Sequence, residues 1–365
     1  MASRIVCFGA TGFTGRLIAE HLVGAGAEPL LAGRDADALN DLASELGGLE
    51  TQVADVDRPE SVAALVREGD VLVTTVGPFA KMGGPAIEAA IGQGATYIDS
   101  TGEPSFIRDV FEGHGARASA AEVALLTAFG FDYVPGNLAG AMALEQAGNR
   151  AVRVDVGYFG LGGDSDSLSG GTKLSMAGVM LDPQFAYRGG SVGTVRGAER
   201  VRSFELRGKD RQAFSLGGSE HFALPRLRPE LHEVNVFLGS GPMSKVMQGV
   251  GAVTDALTTI PGARSVAHSA VERVVSGSTG GPDAQKRAEG ASHIVAIAYD
   301  RDDHKLAEVH LNGSEAYTFT AGIISWAARQ AADGAIDGTG ALGPVEALGL
   351  DELRSGAAEA GLAPI

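Results

Sequence analysis

The sequence predicts an α/β fold: an N-terminal doubly wound parallel sheet, followed by a second α+β domain built on a mixed sheet. Three observations carry that expectation. Short β-branched runs alternate with amphipathic helical stretches over the first 140 residues, the order that yields parallel strands joined by crossover helices. The first run passes straight into closely spaced glycines. After about residue 150 the rhythm changes to longer alternating strands.

Ile5-Val6-Cys7-Phe8 is apolar and short, as a buried strand should be. Gly9-Ala10-Thr11-Gly12-Phe13-Thr14-Gly15 follows, and Leu17, Ile18, His21 and Leu22 then share one helical face. A strand, a tight glycine turn and a helix bring backbone N–H groups and a helix N-terminus up to a pyrophosphate. Gly9 and Gly12 let the chain approach the phosphates, and Gly15 lets the helix pack on the strand. The spacing is a Gly-x-x-Gly-x-x-Gly variant of the dinucleotide-binding fingerprint, with Ala10 where a glycine usually stands.

Pro29 to Arg34 reads as the second strand. About 20 residues past the glycines, an NAD-binding fold places an acidic residue for the ribose 2′-hydroxyl. Arg34 stands there instead, suited to a 2′-phosphate, while Asp35 suits the start of the next helix, Asp37 to Leu46. NADPH/NADP+ is therefore the expected cofactor. Residues 50–55 are a third strand ending in Asp55, placed either to meet the adenine or to cap the helix opened by Pro59. Residues 70–79 form a fourth strand whose Val76-Gly77-Pro78-Phe79 turn falls at the ligand-binding edge. Residues 96–103 give a fifth strand and the turn Thr101-Gly102-Glu103. Residues 122–130 give a sixth, followed by Phe131-Asp132-Tyr133.

Composition narrows the function. A net charge of −16 argues against nucleic acid, which needs a basic face. The single cysteine, Cys7, excludes an intrachain disulfide and a thiolate zinc site. No run of about 18 apolar residues exists, and no secretory segment precedes the first strand, so a cytoplasmic protein without a membrane span is expected.

The five motifs Gly9–Gly15, Ala32-Gly33-Arg34, Thr75–Phe79, Tyr97–Glu103 and Gly130–Pro135, in this order, resemble the saccharopine dehydrogenase-like oxidoreductases. The branch they resemble most is that of the trans-acting enoyl reductases of polyketide and lipid assembly. The resemblance covers the first 140 residues well, and Ser169-Gly170-Gly171-Thr172-x-x-Ser175 and the C-terminal helix extend it. It implies a Rossmann-type domain over 1–140 and a pyridine nucleotide lying across Gly9–Gly15, Arg34, Asp55, Val76–Phe79 and Thr101-Gly102. It also implies that the 316–365 tail returns to the nucleotide domain.

Residues 141–315 read as a substrate and dimerisation domain. Strands are expected at 152–158, 202–206, 232–238, 292–299 and 305–312, and a surface loop at 276–291. A glycine-rich loop leads to Ser169, Gly171 and Thr172, where a helix N-terminus could meet a substrate carboxylate, phosphate or oxyanion, or simply be capped. Met243, Val246, Met247, Val250, Val253 and Leu257 recur at helical spacing, as a core or dimer helix, an acyl-chain wall or a peripheral membrane helix would.

Hydride transfer needs an oriented nicotinamide and one proton donor. No Tyr is followed four residues later by Lys, so the short-chain dehydrogenase acid pair is absent, and the histidines show no metal spacing. Candidates near expected strand ends are Glu103, Asp132, Tyr133, Tyr158, Ser169, Thr172, Glu220 and His221. Glu103 and Asp132 follow adjacent strands at the ligand edge and are the best pair to line the nicotinamide. Tyr158 and His221 could protonate a carbanion. The arginines of the second domain form no compact motif, which favours a neutral acyl or polyketide substrate reduced at an activated C=C bond. The alternatives are a C=N or C–N oxidoreductase acting on an amino acid or imine, and a non-catalytic NADP-binding sensor.

Overall fold

The structure, a computed structural model, describes residues 3–161, 183–239 and 280–365. These form two compact units. The first comprises residues 1–102, 106–134 and 314–363; the second comprises 103–105, 135–313 and 364–365.

The first unit is a seven-stranded parallel sheet: β1 (Ile5–Phe8), β2 (Leu30–Gly33), β3 (Thr51–Val53), β4 (Val71–Thr74), β5 (Thr96–Asp99), β6 (Ala124–Leu126) and β15 (Gly340–Ala341). Their spatial order is β15-β6-β5-β4-β1-β2-β3. The chain reverses direction across the sheet between β1 and β4, and ligands of open α/β sheets bind at such a point. β1, β2 and β4 are buried at every position, as strands covered on both faces must be. The seventh strand was not legible, because a two-residue Gly-Ala strand carries no periodic signal.

The helix Phe13–Gly24 buries Leu17, Ile18, Ala19 and Leu22, each contributing about 1.5–3 kcal/mol for the larger side chains. His21 does not share that face. It is exposed, and its Nδ1 lies 2.8 Å from the Leu17 carbonyl. The helix Ala316–Ala332 starts at Glu315, whose carboxylate accepts from the Tyr317 and Thr318 amides, and it buries Trp326. A Cβ at Gly356 would collide with the Trp326 ring, so the helix Leu350–Glu359 packs there only because that position is glycine. Cys7 is buried, and burial pushes its thiol up to about 12, which leaves it an inert core residue.

The second unit is built on a mixed sheet. β7 (Arg153–Leu161) runs parallel to β12 (Glu233–Gly239) and antiparallel to β13 (Ala291–Tyr299), which neighbours β14 (Lys305–Ser314). β12 also pairs with β11 (Lys209–Ser215), the second strand of a hairpin that begins with β10 (Val201–Leu206). At the start of the same strand, β12 pairs with β8 (Gln184–Arg188), itself in a hairpin with β9 (Ser191–Val195). Sequence reading misses β8, β9 and β11 because their patterns are interrupted by glycines and charges. Residues 276–291 are not all loop: Ala284–Glu289 is helical, capped by Asp283. Among the described residues, no helix is long and apolar enough to cross a membrane.

Candidate functional site

The glycine turn after β1 is fixed by backbone geometry. The Gly9 and Ala10 amides donate to the Ala32 carbonyl at 2.8 and 3.1 Å, and the Gly12 amide to the Gly9 carbonyl at 3.0 Å. Gly9 adopts φ +89°, and a Cβ there would lie 2.7 Å from Thr75 Oγ1. A Cβ on Gly15 would lie 2.8 Å from the Gly9 carbonyl carbon and closer still to its oxygen. Glycine is required at both positions, one for conformation and one for space. Thr75 Oγ1 donates to the Gly9 carbonyl at 3.2 Å, tying the β4 turn to the β1 turn. Thr11 and Gly12 stay exposed, Phe13 and Thr14 are half-buried, and no side chain caps the helix that begins at Phe13. Phe13 also sets its ring edge-on to Tyr317, with centroids 5.1 Å apart.

At the end of β2, Asp35 caps the next helix, its Oδ1 accepting from the Ala38 amide at 3.0 Å. That leaves the exposed Arg34 as the cation at this strand end. Thr11 Oγ1 would sit 3.8 Å from a Cβ on the adjacent Gly33, so Thr11 and the Arg34 end are neighbours. Asp55 does not cap the helix beginning at Pro59, where Arg58 holds the cap position. Its Oδ1 instead accepts from the Asp57 amide at 3.1 Å, in a local turn. The Val76-Gly77-Pro78-Phe79 turn leaves Gly77 exposed and buries Phe79, whose ring packs 5.5 Å from Phe106.

Sequence reasoning passed over Asp99. Its buried carboxylate accepts from the Thr101 amide (2.9 Å), the Ala128 amide (2.8 Å) and the Thr127 hydroxyl (2.7 Å). One side chain thus fastens both turns at the ends of β5 and β6. Asp at a strand end in Tyr97-Ile98-Asp99 was the available signal, and the strand pattern absorbed it. Burial outweighs these hydrogen bonds and pushes the carboxyl up to about 6. Asp99→Ala should cost roughly 3 kcal/mol in denaturant unfolding, because buried donors lose their acceptor. The folded-state pKa lies above the ordinary 3.8. Asp99 therefore favours the folded state increasingly as pH falls through about 6 toward 4, and that contribution is lost as pH rises. Against Asp99→Asn, the parent should lose relative stability over this rising window.

Asp132 Oδ2 would stand 2.8 Å from a Cβ on Gly102, so the Thr101-Gly102 turn and this carboxylate lie side by side. The turn before it is pinned by the Ala316–Ala332 helix: the Phe131 amide donates to Thr320 Oγ1 at 2.9 Å. Solvent reaches Asp132, yet the protein crowding around it pushes the carboxyl up to about 6. Glu103 is buried and follows the same turn. Tyr133 is also buried, its amide donating to the Ala128 carbonyl at 2.7 Å.

Tyr158 and His221 are placed differently. Tyr158 is buried on β7, donating to Glu220 Oε1 at 2.5 Å and accepting from the Gly136 amide at 2.8 Å. Glu220 and His221 do not end a strand; they open the helix Glu220–Leu227. His221 is buried with Nδ1 2.9 Å from the Gly218 carbonyl, and burial pushes it down to about 4, so it stays neutral. Ser169, Gly171, Thr172 and the 243–257 stretch lie outside the described residues.

Within the first unit, a glycine turn, a basic β2 end and the turns after β4, β5 and β6 all gather at one carboxyl edge of a parallel sheet. That arrangement defines a dinucleotide-binding domain. Residues 5–126 match the saccharopine dehydrogenase NADP-binding domain. The trans-acting enoyl reductase of Mycobacterium leprae (strain TN) is 38% identical over 140 residues, covering 37% of this chain and 34% of that protein. The trans-acting enoyl reductase of Mycobacterium bovis (strain BCG / Pasteur 1173P2) is 36% identical over 140 residues, again 37% and 34%. The match spans about a third of the length of these curated relatives. Saccharopine dehydrogenase (L-Glu forming) from Saccharomyces cerevisiae has the same fold at a TM-score of 0.61 and 14% identity, covering 97% of this chain and 96% of that one.

Proposed function

We propose that the protein is an NADPH-dependent oxidoreductase that reduces an activated C=C bond in an enoyl thioester or a related polyketide or lipid intermediate. The observation that carries this reading is the identity with trans-acting enoyl reductases across the nucleotide-binding domain. The glycine turn fits a pyrophosphate, because side-chain atoms are absent where the ligand must approach and no side chain caps the helix. When bound, the nicotinamide supplies a hydride to the β-carbon of the substrate.

The chain's own groups do the rest. The amides of the Gly9–Gly15 turn hold the pyrophosphate, and Arg34, with Thr11 beside it, takes the 2′-phosphate. Asp55 faces the adenine side, while Val76–Phe79 and Thr101-Gly102 flank the ribose and nicotinamide. Asp132, carrying a proton, delivers it to the α-carbon as the enolate collapses, which closes the electron and proton balance. Glu103 lines the same end. Binding of the acyl substrate, through Ser169, Gly171 and Thr172, and pairing of two copies are assigned to residues 141–315. The C-terminal 316–365 segment completes the nucleotide domain. Tyr158 and His221 serve as internal supports.

Titration of NADPH and NADH, followed by NADPH oxidation with enoyl thioesters and with imino acids, tests the reading. Tight NADPH binding with turnover of enoyl thioesters supports it. Turnover of imines alone replaces it with the C=N reading, and nucleotide binding without turnover of either replaces it with a sensor. Arg34→Ala should weaken NADPH about tenfold to a hundredfold, the value of one charge-assisted phosphate contact, and leave NADH nearly unchanged. Equal losses for both nucleotides would remove Arg34 from the 2′-phosphate.

A further inference from the structure

One face of the second unit's sheet ends in a cavity of about 430 Å³, whose walls include Leu161, Leu206, Arg207, Lys209, Arg211 and His293. Strand alternation explains this composition. Leu206 pairs with Lys209 and Phe204 with Arg211 across the β10–β11 hairpin, which sets these side chains on one face. Glu205 pairs with Asp210, so both acids point to the other face. The cation-bearing face is also the apolar one, with Phe159, Phe204, Leu206, Ala213, Val295 and Ile297 forming its core.

Arg207 joins the set from the turn. Arg207 and Gly208 form the two-residue loop, with φ +53° and +72°. Such turns favour Gly, Asn or Asp, because left-handed backbone costs other residues about 1–2 kcal/mol. An arginine held there keeps a guanidinium at the cavity rim despite that cost. In a chain of net charge −16, no carboxylate among the described residues pairs with Arg207, Lys209 or Arg211.

The inner wall is a chain of polar contacts. His293 Nε2 lies 2.8 Å from His310 Nδ1, and His310 Nε2 lies 3.0 Å from Glu308 Oε1. Burial, then the neighbouring His310 and Arg207, push His293 down to about 4, so the ring is a neutral polar wall at neutral pH.

We propose that this cavity binds a soluble amphiphilic phosphate, its headgroup held by Arg207, Lys209 and Arg211 and its apolar part laid over Leu161 and Leu206. Three converging cations, two of them guanidinium forks, match the charge and oxygen count of a phosphate better than those of one carboxylate. The volume falls in the range of small-molecule sites and exceeds what a bare anion fills. Its lining residues all belong to the second unit, and the proposal does not depend on the redox reading.

Hexyl phosphate titrated calorimetrically into the full chain, presaturated with NADP+ so that the nucleotide site is filled, tests it. The expected result is one hexyl phosphate per chain, bound more tightly than inorganic phosphate. Combined Arg207→Ala, Lys209→Ala and Arg211→Ala substitution should weaken it about tenfold or more while NADP+ affinity holds. Lys209→Glu alone, at one exposed position, should weaken it in the same direction. Absence of saturable uptake, or equal uptake by the substituted proteins, would overturn the proposal. So would capture by phosphatidic acid vesicles without binding of hexyl phosphate, which would assign the cations to a membrane surface.

Discussion

Asp132→Asn should lower kcat with an enoyl thioester by about 10²–10⁴-fold, the usual contribution of a positioned general acid. The substitution is nearly isosteric. It keeps the close approach to Gly102, so NADPH affinity should be unchanged and the loss should fall on the chemical step. The pH dependence separates a proton donor from a merely structural carboxylate. With its carboxyl pushed up to about 6, Asp132 carries the proton below that pH and loses it above. The parent's kcat/KM should therefore fall about tenfold per pH unit as pH rises well beyond about 6, and the Asn variant should lack this limb. A parent whose rate instead falls on acidification would need Asp132 as the anion, and an unchanged kcat in the variant would move the proton elsewhere. Glu103 is then the residue to replace next.

The first unit was largely legible because its signals are local. Strands buried on both faces read as uninterrupted apolar runs, and a glycine that must adopt φ +89° or receive a helix at close range announces itself by residue type. Arg34 stood out by its place at a strand end, and Asp35 became interpretable only when its bond to the Ala38 amide showed it to be a cap. What remained illegible depends on contacts distant in sequence. Asp99 matters through amides two and 29 positions away, and nothing near it in the chain advertises Ala128 as a partner. Tyr158 and Glu220 looked like acids at strand ends, yet they are bonded to each other across 62 positions. The cations of the β10–β11 tip form no linear motif that separates them from Glu205 and Asp210. Only the pairing register sorts them to opposite faces.

Gly15→Ala should abolish measurable NADPH binding, an effect of about a hundredfold or more, and should also lower stability by roughly 1–3 kcal/mol. The added Cβ meets backbone, 2.8 Å from the Gly9 carbonyl carbon and closer to its oxygen, so no side-chain rotation relieves it. Relief requires the Phe13–Gly24 helix to lift from β1 or the turn to shift. The turn is held by the Ala32 carbonyl on one side and by Thr75 on the other. Either movement displaces the amides proposed to hold the pyrophosphate. Gly24→Ala supplies the control on the same helix: a Cβ there meets nothing within 4 Å, so it should stabilise by about 0.5–1 kcal/mol and leave NADPH binding intact. Thermal unfolding and nucleotide titration of both variants measure the contrast. If Gly15→Ala bound NADPH as the parent does, the nucleotide could not lie on this turn, and the cofactor assignments built on it would have to be redrawn around Arg34 and the later turns.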